Sequence, residues 1–301
     1  MSSATTSSDD LGFFDRIWQS KTNQRRITLT LKYILAFFVV GFSLFPILWT
    51  ISAAFNPTGG LSGQTLIPAN ASLNNFREVL ADDFWLWIRN SIIVSSIAAV
   101  FSGMITTWAA YAFSRYRFKG RNELLLAILI IQVFPALLAM VALFAILQQL
   151  GQYVPLLGLN SLGGLILIYM GGALGINVWL MKGFFDSIPR AIDESAMVDG
   201  ATDWQIFWRL LFPLVRPIIV VVIILTFFGT FGDWLMPRIM IQDSDNYTLM
   251  LGLQQLIGDN YGEKWGAFAA GALLGSIPQV TVFIILQDQI VGGLTAGSVK
   301  G

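Results

Sequence analysis

Long apolar runs alternate with short polar connections along nearly the whole chain. A helix that crosses a bilayer core needs about 20 mostly apolar residues. Six stretches reach that length: residues 32–55, 87–113, 124–147, 162–184, 214–235 and 267–290. The pattern predicts an all-α, polytopic membrane protein with six transmembrane helices. It divides the chain into an N-terminal segment over 1–31, a membrane domain over 32–290 and a C-terminal tail over 291–301.

One polar insert stands apart, SIPRAIDESAMVDGATDWQIFWRLLFPLVRP over residues 187–217. Ser187 has the chemistry of a helix cap, and Pro189 suits a first turn. Ile188, Ile192 and Ala196 recur every four residues and predict one apolar face, with Asp193, Glu194 and Met197 directed elsewhere. Gly200 fits the left-handed position that ends a helix. Thr202 and Gln205 have the spacing of a capping box, so a second helix runs through WQIFWRLL to Pro213, where the fifth span begins. The insert is thus a helical hairpin over 187–213. It is a solvated loop, a helix pair lying on the membrane, or a knob offered to another protein. Surface-lying helices favour Lys and Arg on their polar face. This segment carries Asp186, Asp193, Glu194, Asp199 and Asp203 instead, which favours a protein contact.

Composition agrees with the span pattern. Of 301 residues, 55% are hydrophobic and 12% charged, against about a quarter charged in soluble domains. Net charge is zero, so nothing draws the chain to nucleic acid. There is no Cys and no His, which excludes disulfides, thiol nucleophiles, imidazole bases and the usual zinc sites. The apolar run behind the N-terminal segment is long enough to span, and no small-residue cleavage site follows it, so it reads as a retained first helix.

The distribution of Lys and Arg sets the orientation. Fourteen of the 18 fall on the side of the N-terminus, in the segments around Arg25, Arg117, Arg190 and Lys300. Both termini and the hairpin are therefore expected in the cytoplasm. Trp85 and Trp87 mark the outer end of the second span. Within the spans, Gln132, Asn177 and Gln279 either line a pathway or bond across helices. Asp233 is expected simply to meet solvent at the outer interface. Pro135 and Pro278 bend the third and sixth spans.

ESAMVDGA, eight further residues and LLFPLVRP resemble the EAA motif of permease subunits of ABC importers. Glu194, Ala196, Asp199, Gly200 and Ala201 match it, and Leu210, Phe212 and Pro213 fill its apolar and proline positions. Ser195, Leu210 and Phe212 depart from it, each remaining small or apolar. VFPALLAMVALFAILQQLGQYVPLLGLN and the terminal GGLTAGSVKG are similar to the maltose-type carbohydrate branch, and the similarity runs from about residue 30 to the end.

The resemblance implies the type I ABC importer permease fold and a role in taking up maltose or maltodextrin-type oligosaccharides, or another disaccharide such as trehalose. It implies that Glu194, Ser195, Ala196, Asp199, Gly200, Ala201, Leu210, Phe212 and Pro213 form a coupling helix docking on a cytoplasmic ATPase. A homologous, MalF-like permease subunit, two MalK-like ATPase subunits, an extracytoplasmic sugar-binding protein and membrane lipid are the implied partners, in a bacterial plasma membrane. The subunit itself would be non-catalytic and hold no cofactor. ATP and Mg would bind the partner ATPases, and this chain has no G-x-x-x-x-G-K-[ST] loop. The outer loop over 254–265 matches the position that touches the binding protein, through Gln254, Gln255, Asn260, Tyr261 and Trp265; the alternative is a solvated turn. The tail would reach between the ATPases, although its glycines alone suggest fraying.

Two rival readings fit the sequence less well. An intramembrane carboxylate protease needs two buried acids, and only Asp233 is available. A secondary transporter would need midplane acids or inverted repeats, neither of which is visible, and it gives the hairpin no purpose.

Overall fold

The computed structural model describes residues 21–57, 60, 64–68, 70–134, 136–257 and 264–296. These residues are helical with short connections, and they contain no strand. In order, the helices are α1 (Lys21–Phe55), α2 (Asn74–Ala81), α3 (Phe84–Arg115), α4 (Arg121–Val133), α5 (Ala136–Tyr153), α6 (Leu162–Ser187), α7 (Ala191–Val198), α8 (Asp203–Phe231), α9 (Leu235–Met240), α10 (Leu249–Ile257) and α11 (Trp265–Ala296).

Among them α1, α3, α8 and α11 are long and apolar enough to cross a bilayer alone. Two bent pairs would bring the number of spans to six. The third span is bent as Pro135 predicts, but so sharply that it forms two helices, α4 and α5, with the segments on either side of Pro135 inclined by 105°. Proline removes a backbone donor and disfavours the helical conformation of the residue before it, and Phe134 is extended at ψ 130°. The fourth span bends by 46° beside Gly171 and Gly172. Pro278, by contrast, lies inside the uninterrupted α11.

Helix ends also differ from the sequence expectation. α1 begins at Lys21, so residues 21–31 are part of the first helix. α11 continues to Ala296, so the first half of the expected tail is helical.

The centre of the bundle is α3, packed most extensively against α6 and then α8. Its buried face carries Ser91, Ser95, Ala99, Ser102, Thr106, Ala110 and Ser114, close to a four-residue row. Small side chains let helix backbones approach closely, the usual solution where no water drives association. α1 is the opposite case. Most of its apolar side chains from Leu31 to Ile51 face outward; among the described residues it gives Ala53 and Ala54 to the buried core, and it packs against α11.

Connections assigned to one side by charge meet one another in space. Asn75 Nδ2 donates to the carbonyls of Ala54 and Asn56, each at 2.9 Å. Asn90 Nδ2 donates to Asp245 O and Tyr247 O at 2.9 and 3.0 Å. Asn160 Oδ1 accepts from the amides of Gln242 and Asp243. At the opposite end Ser114 and Tyr116 bond Asp186 and Asp203. Asp233 is hydrogen-bonded rather than merely exposed. It accepts from Tyr169 Oη at 2.9 Å and caps the amide of Leu235, also at 2.9 Å.

Candidate functional site: the polar hairpin and the apolar cavity

The hairpin is built locally much as its residues dictate. Gly200 sits at φ +81° with open space where a side chain would begin. Ala201 N donates to Ala196 O and Gly200 N to Met197 O, the paired bonds of a Schellman motif. Thr202 Oγ1 then accepts from Gln205 N while Gln205 Oε1 accepts from Thr202 N, closing the capping box at both ends. The second limb does not stop at Pro213. It runs unbroken into the membrane helix, with a π-helical turn over Ile206–Leu211 ahead of the proline. A wider turn is one way a helix admits a residue that cannot donate.

The first limb departs from the periodicity. Ser187 is the last residue of α6, with its Oγ donating to Phe184 O, and so it caps nothing. Ile188 is extended at ψ 122°, so counting in fours from it crosses a break. Ala196 is buried as expected, but Ile192 is exposed and Asp193 is buried in its place.

Asp193 is held by Arg115, the last residue of α3. Their side chains are 11% and 8% exposed, with Oδ2 and Nε 2.6 Å apart. The contact is an ion pair rather than an aligned hydrogen bond, because Nε has no such partner. Arg115 Nη2 donates to Ile188 O at 3.2 Å. Arg190 Nη2 donates to Ser114 O at 2.9 Å. Burial pushes the Asp193 carboxyl above its ordinary range, and the charges of Arg115 and Arg190 reverse only part of that shift. Beneath the hairpin, Tyr111 packs against Phe185 and Phe207 at 5.9 and 4.9 Å between ring centroids.

The opposite face is uncovered. Glu194, Ser195, Asp199 and Gly200 are exposed. Met197, Val198 and Trp204 are 52%, 87% and 66% exposed, an apolar tip on a polar hairpin. Ala201 and Phe212 are half-buried, Leu210 is 37% exposed, and Pro213 is exposed. Sequence reasoning placed Val198 and Trp204 in the hairpin without singling them out as its exposed tip, and it missed Arg115 as a part of this unit. The available signal was a basic residue closing the second span, and apolar residues flanking a turn glycine among acids.

A second feature lies on an open side of the bundle. A cavity of about 1010 Å³ opens between the α4–α5 pair, α6 and α8. Gln132 and Asn177 both line it, with Phe134, Tyr169, Thr226 and Thr230. A Cβ at Gly175 would overlap the Gln132 amide, so glycine there makes room for that side chain. Gln279, the third candidate, is half-buried on α11 and is not part of the wall.

The expected outer loop is helical at its start. Gln254 and Gln255 lie in the last turns of α10, and Trp265 opens α11, stacked on Phe268. Asn260 and Tyr261 lie outside the described residues, as do residues 297–301 of the tail and the first twenty residues. Beside this segment Gln255, Leu256, Trp87, Asp82, Asp83 and Lys264 surround an open pocket of about 450 Å³.

Comparison with known proteins follows the same lines. Residues 99–295 match the family described as "binding-protein-dependent transport system inner membrane component". The maltose/maltodextrin transport system permease protein MalG of Vibrio parahaemolyticus is 41% identical over 94% of this chain and 99% of its own. The galactooligosaccharides transport system permease protein GanQ of Bacillus subtilis is 40% identical over 92% and 98%. MalG of Escherichia coli is 37% identical over 94% and 99%. Among solved structures, a chain of a bacterial ABC transporter involved in import of the acidic polysaccharide alginate superposes with a TM-score of 0.74 at 22% identity, over 89% of this chain and 98% of that one. The chain belongs to the binding-protein-dependent transport system inner membrane component family, the permease subunits of ABC importers.

Proposed function

We propose that this permease subunit takes up maltose or maltodextrin-type oligosaccharides, and that the hairpin couples it to separate ATPase subunits in the cytoplasm. The observation that carries the reading is the hairpin itself. Its inner face is fixed to α3 by a buried ion pair, while Met197, Val198 and Trp204 expose an apolar tip. Exposed apolar groups rimmed by charge mark a protein contact, and Glu194 and Asp199 supply that rim. On this reading the ATPases hold ATP and Mg, a homologous permease completes the pathway, and an extracytoplasmic binding protein delivers the sugar near residues 254–265. Both termini lie in the cytoplasm, and the tail meets the ATPases.

The cavity is the pathway wall contributed by this subunit. Its lining is largely aliphatic, with amides, hydroxyls and two rings, a surface that passes a neutral sugar without trapping it. The similarity to maltodextrin permeases supports α-glucans as cargo, and the nearly equal similarity to a galactooligosaccharide permease makes those sugars the direct competitor.

The test is co-purification of the ATPase subunits with Val198→Asp and Trp204→Ala. Both positions are exposed, so the permease should fold normally while ATPase retention drops. Full retention in both variants would remove the hairpin from the interface. Uptake by the reconstituted complex of maltose, maltotriose, trehalose and a galactooligosaccharide assigns the cargo.

A further inference from the structure

A force applied at the hairpin tip has to reach the membrane helices. One route is direct, because the second limb continues into α8. The first limb, α7, has no such continuity. It is eight residues long, joined to α6 through the extended Ile188 and to α8 through the Gly200 turn. Its firmest attachment is lateral, to the last residues of α3.

That attachment is concentrated on three consecutive residues. Ser114 Oγ donates to Asp186 Oδ1 at 2.6 Å, and Ser114 O accepts from Arg190 at 2.9 Å. Arg115 holds Asp193 and the Ile188 carbonyl together. Tyr116 Oη donates to Asp203 Oδ2 at 3.1 Å, which fastens the second limb to the same point. The end of α3 therefore grips α6, both limbs of the hairpin and the link between them.

The chemistry of the grip is informative. A buried ion pair contributes little to stability beyond what an apolar pair of similar volume would, because both charges lose water. What it adds is direction. The guanidinium is a planar fork, and here its Nη2 donates to the carbonyl of Ile188 while its Nε stands 2.6 Å from the Asp193 carboxylate on α7. An apolar contact in that position would allow the hairpin to slide or rotate on α3.

We infer that Arg115 and Asp193 form a positioning latch that makes α3 move with the hairpin. α3 packs along α6 and α8, which wall the cavity, so the latch gives hairpin displacement a second route to the pathway. The inference rests on the hairpin being the ATPase contact. Arg115 and Asp193 act through position and touch no substrate.

The experiment uses the complete transporter in proteoliposomes with Arg115→Ala, Asp193→Ala and the double variant. The readouts are retention of ATPase subunits, and sugar moved per ATP hydrolysed. Each single variant leaves one buried charge unpaired, which harms folding by itself. The double variant removes both charges, so assembly should recover. The latch predicts that coupling does not recover with it: sugar moved per ATP stays down by about fivefold or more, the lower end of ordinary coupling between sites. Arg115→Lys, which keeps the charge but not the fork, should fall between the double variant and wild type. A double variant that assembles and couples as wild type overturns the latch. A double variant that fails to assemble also overturns it, because the pair would then hold the fold rather than transmit motion. Val198→Asp run in parallel separates the two levels. Loss of ATPase subunits there with normal coupling in the double variant defeats the latch alone, whereas no effect there defeats the hairpin reading beneath it.

Discussion

Gly200 offers the cleanest perturbation of the proposed coupling hairpin. It holds φ +81°, and no atom lies within 4 Å of where a Cβ would be built. A substitution there creates no clash, so its cost is backbone strain alone. For an ordinary L-residue the left-handed conformation costs about 1–2 kcal/mol. Asn pays less, because its short polar side chain tolerates that region, and a β-branched residue pays more. The order of damage should therefore be Asn, then Ala, then Val. If the ATPase binds only the formed turn, about 1.4 kcal/mol of strain lowers apparent affinity roughly tenfold. The assay is titration of the ATPase subunits against permease complexes carrying each residue, with sugar-stimulated hydrolysis followed in the same samples. Equal affinity for Val and wild type would falsify the claim that this turn is the docked conformation. Equal damage from Asn and Val would show that something other than φ is at stake.

Three further substitutions test the frame around the site. Asn160 holds φ +57° and its side-chain oxygen accepts from Gln242 N and Asp243 N at 3.0 and 2.8 Å. Asn160→Ala should cost about 1–3 kcal/mol in thermal melts, and Asn160→Gly less, since glycine keeps the conformation and loses only the bonds; identical melts for the two would contradict the strain component. Gly252→Ala should lower the melting temperature, because its Cβ overlaps the buried Trp87 ring and overpacking costs about 1–3 kcal/mol; an unchanged melt would mean that the ring moves freely. Asn75→Leu strands the carbonyls of Ala54 and Asn56, at about 1–3 kcal/mol for a buried group left unpaired, and should speed proteolytic cleavage just beyond α1; wild-type cleavage rates would remove Asn75 as the tether of that end.

Much of this architecture is legible in the sequence, where the determinants are local. Hydrophobic run length locates the membrane helices, and the signals of Gly200, Thr202 and Gln205 act within five residues of one another. The turn and the capping box are found as read. What escapes the sequence depends on partners far along the chain. Asp193 is buried because Arg115 at the end of α3 receives it, and Asp233 is bonded because Tyr169 on α6 reaches it. Neither pairing leaves a periodic trace. The apolar face counted from Ile188 fails for a different reason, since that residue is extended and helical spacing begins only after it. Pro135 was legible as a bend in the third span, but its magnitude was not, because α4 packs against α6 while α5 packs against α9, contacts far along the chain. Gln132 and Asn177 meet at one cavity because α4 folds back on α6, whereas Gln279 shares their chemistry but not their position.

On the proposed reading, ATP hydrolysis elsewhere drives sugar through this subunit by way of the hairpin. The most direct measurement is uptake of labelled maltodextrin into proteoliposomes holding the complete transporter and its binding protein, wild type against Val198→Asp. Uptake should require ATP in wild type and be lost in the variant, with the permease itself still folded. Uptake that proceeds on an ion gradient without ATP, at the same rate in both proteins, would contradict that reading.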